Sequence, residues 1–161
     1  MGKKNISIFT PVFNEADNIQ DVYLAVKSIM HDLSKKYDYE HVFSDNCSSD
    51  QSLKILKNIS KKDDKVKIIA LSRNFGTAKS TLNGILRCSG DAVIHMDADL
   101  QDPPNMIIPF VEKYGVPESQ MMLVEGEVGI LAAMKAGRAD VAVQTFFGAK
   151  EHEEKTGGAF E

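Results

Sequence analysis

Long hydrophobic runs, paired cysteines and excess positive charge are all scarce in this chain, and each scarcity excludes something. Nowhere do eighteen apolar residues run together, so no segment reads as a transmembrane helix. Met1–Asn5 leads into a short apolar run that stops at Thr10-Pro11, too brief for a signal peptide. The expected location is therefore cytoplasmic. The two cysteines, Cys47 and Cys88, are far apart with no CxxC spacing, which argues against a disulfide scaffold and a zinc site. A net charge of −4 offers no broad basic face, so no nucleic-acid partner is expected. No GxGxxG follows the first apolar run, which removes a dinucleotide-binding oxidoreductase. Gly76-Thr77-Ala78-Lys79-Ser80 imitates a phosphate-binding P-loop but has Ala78 in place of the second glycine and Arg73 in place of the first. There is no internal repeat.

What the 161 residues do contain is a globular composition, 43% hydrophobic and 26% charged. The apolar pattern alternates between strand and helix. Ile6–Val12 reads as a buried strand, followed by Ile19, Val22, Val26, Ile29 and Leu33 at helical spacing with Asp17 and Asn18 as start signals. Tyr39–Asp45 is a second strand, and Ser48-Ser49-Asp50 caps a helix burying Leu53, Leu56 and Ile59. Val66–Leu71 is a third strand. Gly76-Thr77 opens a helix carrying Ala78, Leu82, Ile85 and Leu86, closed by Gly90. Ala92–Asp97 is the fourth strand, and Pro103-Pro104 starts a helix burying Met106, Ile107, Phe110 and Val111. This βαβαβαβα order predicts an α/β fold: a mainly parallel sheet, helices on both faces, and every strand-to-helix loop on one edge. The character changes after Tyr114. Met121–Val124 and Ala139–Thr145 read as short strands, Gly129–Ala136 as helix, and the end from Gly148 as frayed.

Four loops on that edge are distinctive: Pro11-Val12-Phe13-Asn14-Glu15, Asp45-Asn46-Cys47-Ser48-Ser49-Asp50, Leu71-Ser72-Arg73-Asn74-Phe75-Gly76, and His95-Met96-Asp97-Ala98-Asp99-Leu100-Gln101-Asp102. In the last, two carboxylates at i and i+2 end an apolar strand. On extended backbone they face one ligand, as paired hard donors suited to a divalent cation. Asp99 and Asp102 also fit capping of the helix at Pro103, which is the preferred reading of Asp102. Glu15 also fits a first-turn helix acid, and Arg73 a surface ion-pair partner. His95, alternating with apolar neighbours, is read as a packed histidine, and Cys47 as inert.

In order and context the four loops resemble the nucleotide-sugar half of family 2 glycosyltransferases of the Rossmann-like GT-A fold. They are most similar to the branch acting on polyprenyl or dolichyl phosphate. The resemblance covers residues 5 to 114, taken as the donor-binding domain. Residues 115–161 do not follow the family pattern, so the chain is expected to be truncated or divergent there, with its acceptor-gripping part missing or altered. The resemblance implies that Pro11, Phe13 and Glu15 line the nucleotide, that Asp45 accepts hydrogen bonds from the base, and that Arg73 contacts the donor. Asp50 is read as a helix cap. It further implies that Asp97 and Asp99 are the catalytic DxD carboxylates with Ala98 between them against the donor. With Gln101, Asp97 and Asp99 would be ligands to Mg2+ or Mn2+. The implied activity is hexosyl transfer from a UDP-glucose or GDP-mannose type donor to polyprenyl phosphate in cell-envelope glycan synthesis. Peripheral association with the inner face of the membrane and a homo-oligomer are expected with it. An anionic acceptor needs no strong general base, in keeping with the lack of an obvious His–carboxylate dyad near the loops. A non-catalytic nucleotide-sugar-binding module is the alternative.

Overall fold

The computed structural model describes residues 2–101, 103–108 and 111, which belong to one compact unit. Its elements run β1 (Lys4–Val12), α1 (Ile19–Asp32), β2 (Tyr37–Asp45), α2 (Ser52–Ser60), β3 (Val66–Ala70), α3 (Thr77–Ile85) and β4 (Ala92–His95). Single 3-10 turns follow at Leu33–Lys35 and Pro104–Met106. The strands form a four-stranded sheet in the order β3-β2-β1-β4, and all three pairings are parallel. This is the expected α/β architecture. The chain steps outward from β1 to β3 and then returns to the far side of β1. The order therefore reverses between β1 and β4, where their carboxyl ends open a crevice.

Alternation along the strands sorts the two faces. Ile6, Ile8 and Val12 on β1 and Phe43 on β2 join one core with Ile19, Val22, Val26 and Met30 of α1 and Leu56 and Ile59 of α2. Met96, Ile107 and Val111 complete it after β4. His41 is fully buried beneath this layer. Burial lowers its pKa to about 3, so the ring is neutral, stacked on Phe43 at 4.0 Å, with Nε2 3.0 Å from Thr10 Oγ1. Phe9, on the opposite face, lies under α3. A Cβ at Gly84 would stand 2.1 Å from Phe9 Cε2.

That contact explains where the helix expectation fails. The face α3 turns to the sheet carries Ser80 and Gly84, because the Phe9 ring already fills the space beneath it. Ala78 and Leu86 are exposed, while Leu82 and Ile85 are only half-buried. Leu53 is likewise half-buried and Met106 exposed. Gly90 does not close α3, which ends at Ile85 with Leu86 as its C-cap. Its lack of a side chain serves a close approach instead: a Cβ there would lie 2.6 Å from the Ser7 backbone nitrogen. β4 stops at His95, two residues earlier than the apolar pattern implies. Phe110, the cap reading of Asp102 and the elements expected in 115–161 lie outside the described residues. Among the described residues, no helix is long and apolar enough to cross a membrane.

A polar clamp joins the strands on the α3 face. Glu40 is 3% exposed and accepts hydrogen bonds from Ser7 Oγ (2.5 Å), Ser89 N (2.6 Å) and Ser89 Oγ (2.9 Å). It also pairs with the Lys67 ammonium. Gly90 N donates to Ser7 Oγ at 2.8 Å, so β1, β2, β3 and the approach to β4 meet at one carboxylate. Burial acts to raise the Glu40 pKa, but the bonds from Lys67, Ser7 and Ser89 outweigh it and hold the group at about 2.

Candidate functional site

The first loop leaves β1 at Val12 and is fastened to the second loop. Asn14 N donates to Ser48 Oγ (2.9 Å), Glu15 N to Ser52 Oγ (2.9 Å) and Ala16 N to Asp50 Oδ2 (3.1 Å). Ser49 N returns a bond to Asn14 Oδ1 at 2.9 Å. Asp50 is not the N-cap of α2, a position held by Gln51; one residue earlier, its Oδ1 accepts from Ser52 N at the start of α2 while Oδ2 holds the neighbouring loop. Glu15 also serves two ends. Its carbonyl accepts from Asn18 N and Ile19 N at the start of α1, and its Oε2 accepts from Asn18 Nδ2 at 2.7 Å. Asn18 therefore spends its side chain on Glu15 rather than on an N-cap bond.

Between the ends of β1 and β4 lies a pocket of about 170 Å³. It is lined by Pro11, Val12, Phe13, Glu15, Asn46, Thr77, Ser80, Asp97, Ala98 and Asp99. Of the residues singled out from sequence, Pro11, Phe13, Glu15, Asp97, Ala98 and Asp99 meet here. Asp45, Arg73 and Gln101 do not line it. The two aspartates converge by a route other than strand alternation. Residues 98–99 form a turn, Leu100 adopts φ 58°, and Asp99 Oδ1 accepts from Gln101 N at 3.1 Å. A leucine in the left-handed region marks a tightly constrained backbone of the kind that gathers at functional sites.

No cluster of three His, Cys, Asp or Glu side chains stands ready for a metal among the described residues. Two exposed carboxylates beside an open pocket nevertheless suit Mg2+ or Mn2+. Such ions take one or two carboxylates and complete their shell with water and substrate phosphate oxygens. The donor set thus fits a cation that arrives with its substrate.

Asp45 sits deeper, 1% exposed at the end of β2. Its Oδ2 accepts from Ser48 N at 3.3 Å, and its buried Oδ1 has no partner among the described residues. An unpaired buried carboxylate oxygen is costly unless a ligand N–H reaches it. Arg73 is exposed, with its guanidinium 4.6 Å above the Phe75 ring, and Gln101 is exposed with its backbone engaged by Asp99.

Sequence reasoning missed Asn46, Thr77 and Ser80. Asn46 ties three loops together: its N donates to Val12 O (2.8 Å), its Nδ2 to Asn74 Oδ1 (3.0 Å), and its Oδ1 accepts from Phe75 N (3.0 Å). It also missed a neighbour of the carboxylates. His95 Nε2 lies 3.4 Å from Asp97 Oδ1, so a His–carboxylate pair does stand at this edge. A larger groove of about 570 Å³ opens elsewhere, beside α1 and the start of β2, but its Lys27 and Lys65 are already paired with Asp63 and Asp38.

Cys47 is exposed with φ 63°, a conformation that costs an L-residue about 1 kcal/mol and glycine almost nothing. Cys47→Gly is expected to raise the melting temperature by a few degrees, about 2–4 °C per kcal/mol in a chain this size. A lowered value by calorimetry would show that the thiol packs usefully.

Residues 7–128 match the family model described as Glycosyl transferase family 2. The chain belongs to that family. Among curated relatives, the uncharacterized glycosyltransferase YkcC of Bacillus subtilis is 41% identical over 108 residues, 67% of this chain and 33% of the relative. The bactoprenol glucosyl transferase of Shigella phage SfV is 37% identical over 109 residues, covering 68% and 35% respectively. This family 2 chain thus spans about a third of the length of the relatives it matches. Among solved structures, the mannosyltransferase PcManGT of Pyrobaculum calidifontis, in complex with GDP-Man and Mn2+, aligns with a TM-score of 0.53 at 18% identity. The alignment covers 63% of this chain and 34% of that one. Glucosyl-3-phosphoglycerate synthase of Mycobacterium tuberculosis, with Mn2+, UDP and glucosyl-3-phosphoglycerate, gives 0.53 at 20% identity, covering 69% and 39%. The fold is GT-A.

Proposed function

We propose that residues 1–114 hold the nucleotide-sugar donor of a glycosyltransferase that moves a hexose to polyprenyl phosphate with Mg2+ or Mn2+. The observation that carries this reading is the pocket at the β1–β4 switch, where Pro11, Phe13 and Glu15 meet Asp97, Ala98 and Asp99. Its 170 Å³ is below the ~300–1,000 Å³ of a ligand-enclosing site. It suits the diphosphate end of a donor whose remainder lies over the open edge. Asp45 Oδ1, buried and unpaired among the described residues, would accept an N–H of the base; uracil and guanine both supply one. Arg73, with its forked guanidinium, would meet the diphosphate.

Asp97 and Asp99 would hold the cation, with Gln101 a third oxygen donor once its side chain turns inward. The bound cation would offset negative charge building on the departing nucleoside diphosphate. In the transfer, an oxygen of the lipid phosphate attacks the anomeric carbon and forms the new C–O bond. The bond from that carbon to the donor's phosphate oxygen breaks, and its electron pair leaves with the nucleoside diphosphate. The nucleophile is already an anion, so no protein base takes a proton. The polyprenyl acceptor finds support in relatives such as the SfV bactoprenol enzyme and the undecaprenyl-phosphate 4-deoxy-4-formamido-L-arabinose transferase of Pseudomonas fluorescens, 34% identical over 109 residues. Such an acceptor would place the reaction at a membrane surface.

The second reading is a donor-binding module without turnover. One assay separates them: the chain, labelled UDP-glucose or GDP-mannose, polyprenyl phosphate and Mn2+. Metal-dependent formation of lipid-linked sugar is the expected result. Nucleotide binding without product supports the binding module, and no binding at all rejects both.

A further inference from the structure

His95 closes β4 two residues before Asp97. Its ring is held on one side by Phe9, with centroids 5.7 Å apart and planes inclined by 26°. Phe9 itself is fully buried under α3 against Gly84, so this support is rigid. The ring's Nε2 is buried and makes no hydrogen bond among the described residues. Asp97 Oδ1 lies 3.4 Å from it, a few tenths of an ångström beyond a normal N–H···O bond. A buried donor without an acceptor costs free energy, and a small rotation of the half-exposed Asp97 side chain removes the deficit. Polar pairs at catalytic sites are commonly long without ligand and shorten when substrate binds.

We propose that His95 is a positioning residue for Asp97. Its Nε2–H takes one carboxylate oxygen and leaves the other aimed into the pocket toward the cation and diphosphate. This rests on the donor-site reading above and adds a group that reading does not use. It gives the half-buried ring, with its buried Nε2, a task that packing alone leaves unexplained. An apolar side chain would stack on Phe9 equally well without stranding a nitrogen. Partners that orient a metal ligand are worth about 10- to 100-fold in metal affinity.

The test uses the full 161-residue chain and three substitutions. His95→Phe keeps the stack on Phe9 and removes the donor, His95→Leu removes the donor with a different shape, and His95→Gln restores an N–H at similar reach. UDP binding is titrated calorimetrically with and without Mn2+, alongside melting of the ligand-free chain. Both donor-free variants are expected to weaken Mn2+-dependent UDP binding about tenfold, leave metal-free binding unchanged, and melt close to wild type. His95→Gln is expected to recover most of the loss. The inference is overturned if either folded donor-free variant matches wild type with Mn2+. Equal weakening with and without the metal overturns it too, since that pattern marks a merely structural residue. Wild-type protein that ignores UDP and Mn2+ together rejects the donor site itself. The first two outcomes leave that site standing.

Discussion

Asp99→Ala is expected to reduce Mn2+-dependent UDP affinity by about 100-fold, equivalent to about 2.7 kcal/mol. The size follows from what the side chain contributes. With Asp97 it forms a pair of carboxylates in the pocket lining, and no cluster of three acidic, histidine or cysteine side chains is arranged to hold a metal among the described residues. Removing one of two hard oxygen donors leaves a cation with half of its protein-borne charge compensation. Isothermal titration of UDP at fixed Mn2+ reads the effect directly. Asp21→Ala supplies the control, because Asp21 is an exposed acid in the first turn of α1 and removes the same charge without touching the pocket. Equal affinity for Asp99→Ala and wild type would sink the metal-bridged donor site. Equal losses from both substitutions would reduce it to a long-range charge effect.

The largest stability effect is expected at the opposite end of the strands. Glu40→Ala removes the carboxylate on which Ser7, Lys67 and Ser89 converge, and strands a buried hydroxyl and a backbone N–H. Lys67 is half-exposed and stays solvated, but the buried groups left without their acceptor cost about 1–3 kcal/mol each. The pH dependence follows from the direction of the shift. Glu40 is held at about 2 in the folded chain against an ordinary 4.5, so its contribution is fully present above about pH 4.5. It is lost as pH falls toward 2, by about 3 kcal/mol in total. Urea denaturation of wild type and Glu40→Ala from pH 7 to pH 2.5 should show the gap between them closing as acid is added. His41 also loses stability in acid, since its folded pKa of about 3 lies below the ordinary 6.5, but it does so in both proteins and cancels from the difference. A gap that stays constant with pH would mean Glu40 contributes shape rather than charge.

The fold was legible wherever one residue's chemistry acts over a few neighbours. Ile19, Val22 and Val26 announce α1 by their spacing, and the order of strands and helices announces the parallel sheet. Pro11, Phe13 and Glu15 lie at the end of β1 and Asp97, Ala98 and Asp99 just after β4, and topology alone sends those ends to one edge, where they line one pocket. What escaped depends on partners distant in sequence. The buried side of α3 was misread because Leu82, Ile85 and Leu86 look like a core stripe, while the Phe9 ring, some seventy residues earlier, leaves room only for Ser80 and Gly84. Gly90 looked like a helix terminator because its real neighbour, Ser7, lies on another strand. Asn46 stood in a distinctive loop without a role of its own, and its bond to Asn74 spans 28 positions. His95 followed the alternation of a packed strand residue, and nothing in that pattern shows its Nε2 standing 3.4 Å from Asp97 Oδ1.

The fastening of the first loop to the second has a consequence for how this surface tolerates change. Three successive amides, those of Asn14, Glu15 and Ala16, spend their hydrogens on Ser48, Ser52 and Asp50. A loop normally drifts freely in sequence and keeps its amides exposed to solvent exchange. Here those three amides should exchange slowly, as though they belonged to a sheet. The two loops are also bound to a shared history. A substitution at Ser48 or Ser52, positions that need never meet the donor, would be felt at Glu15 and compensated there or not kept.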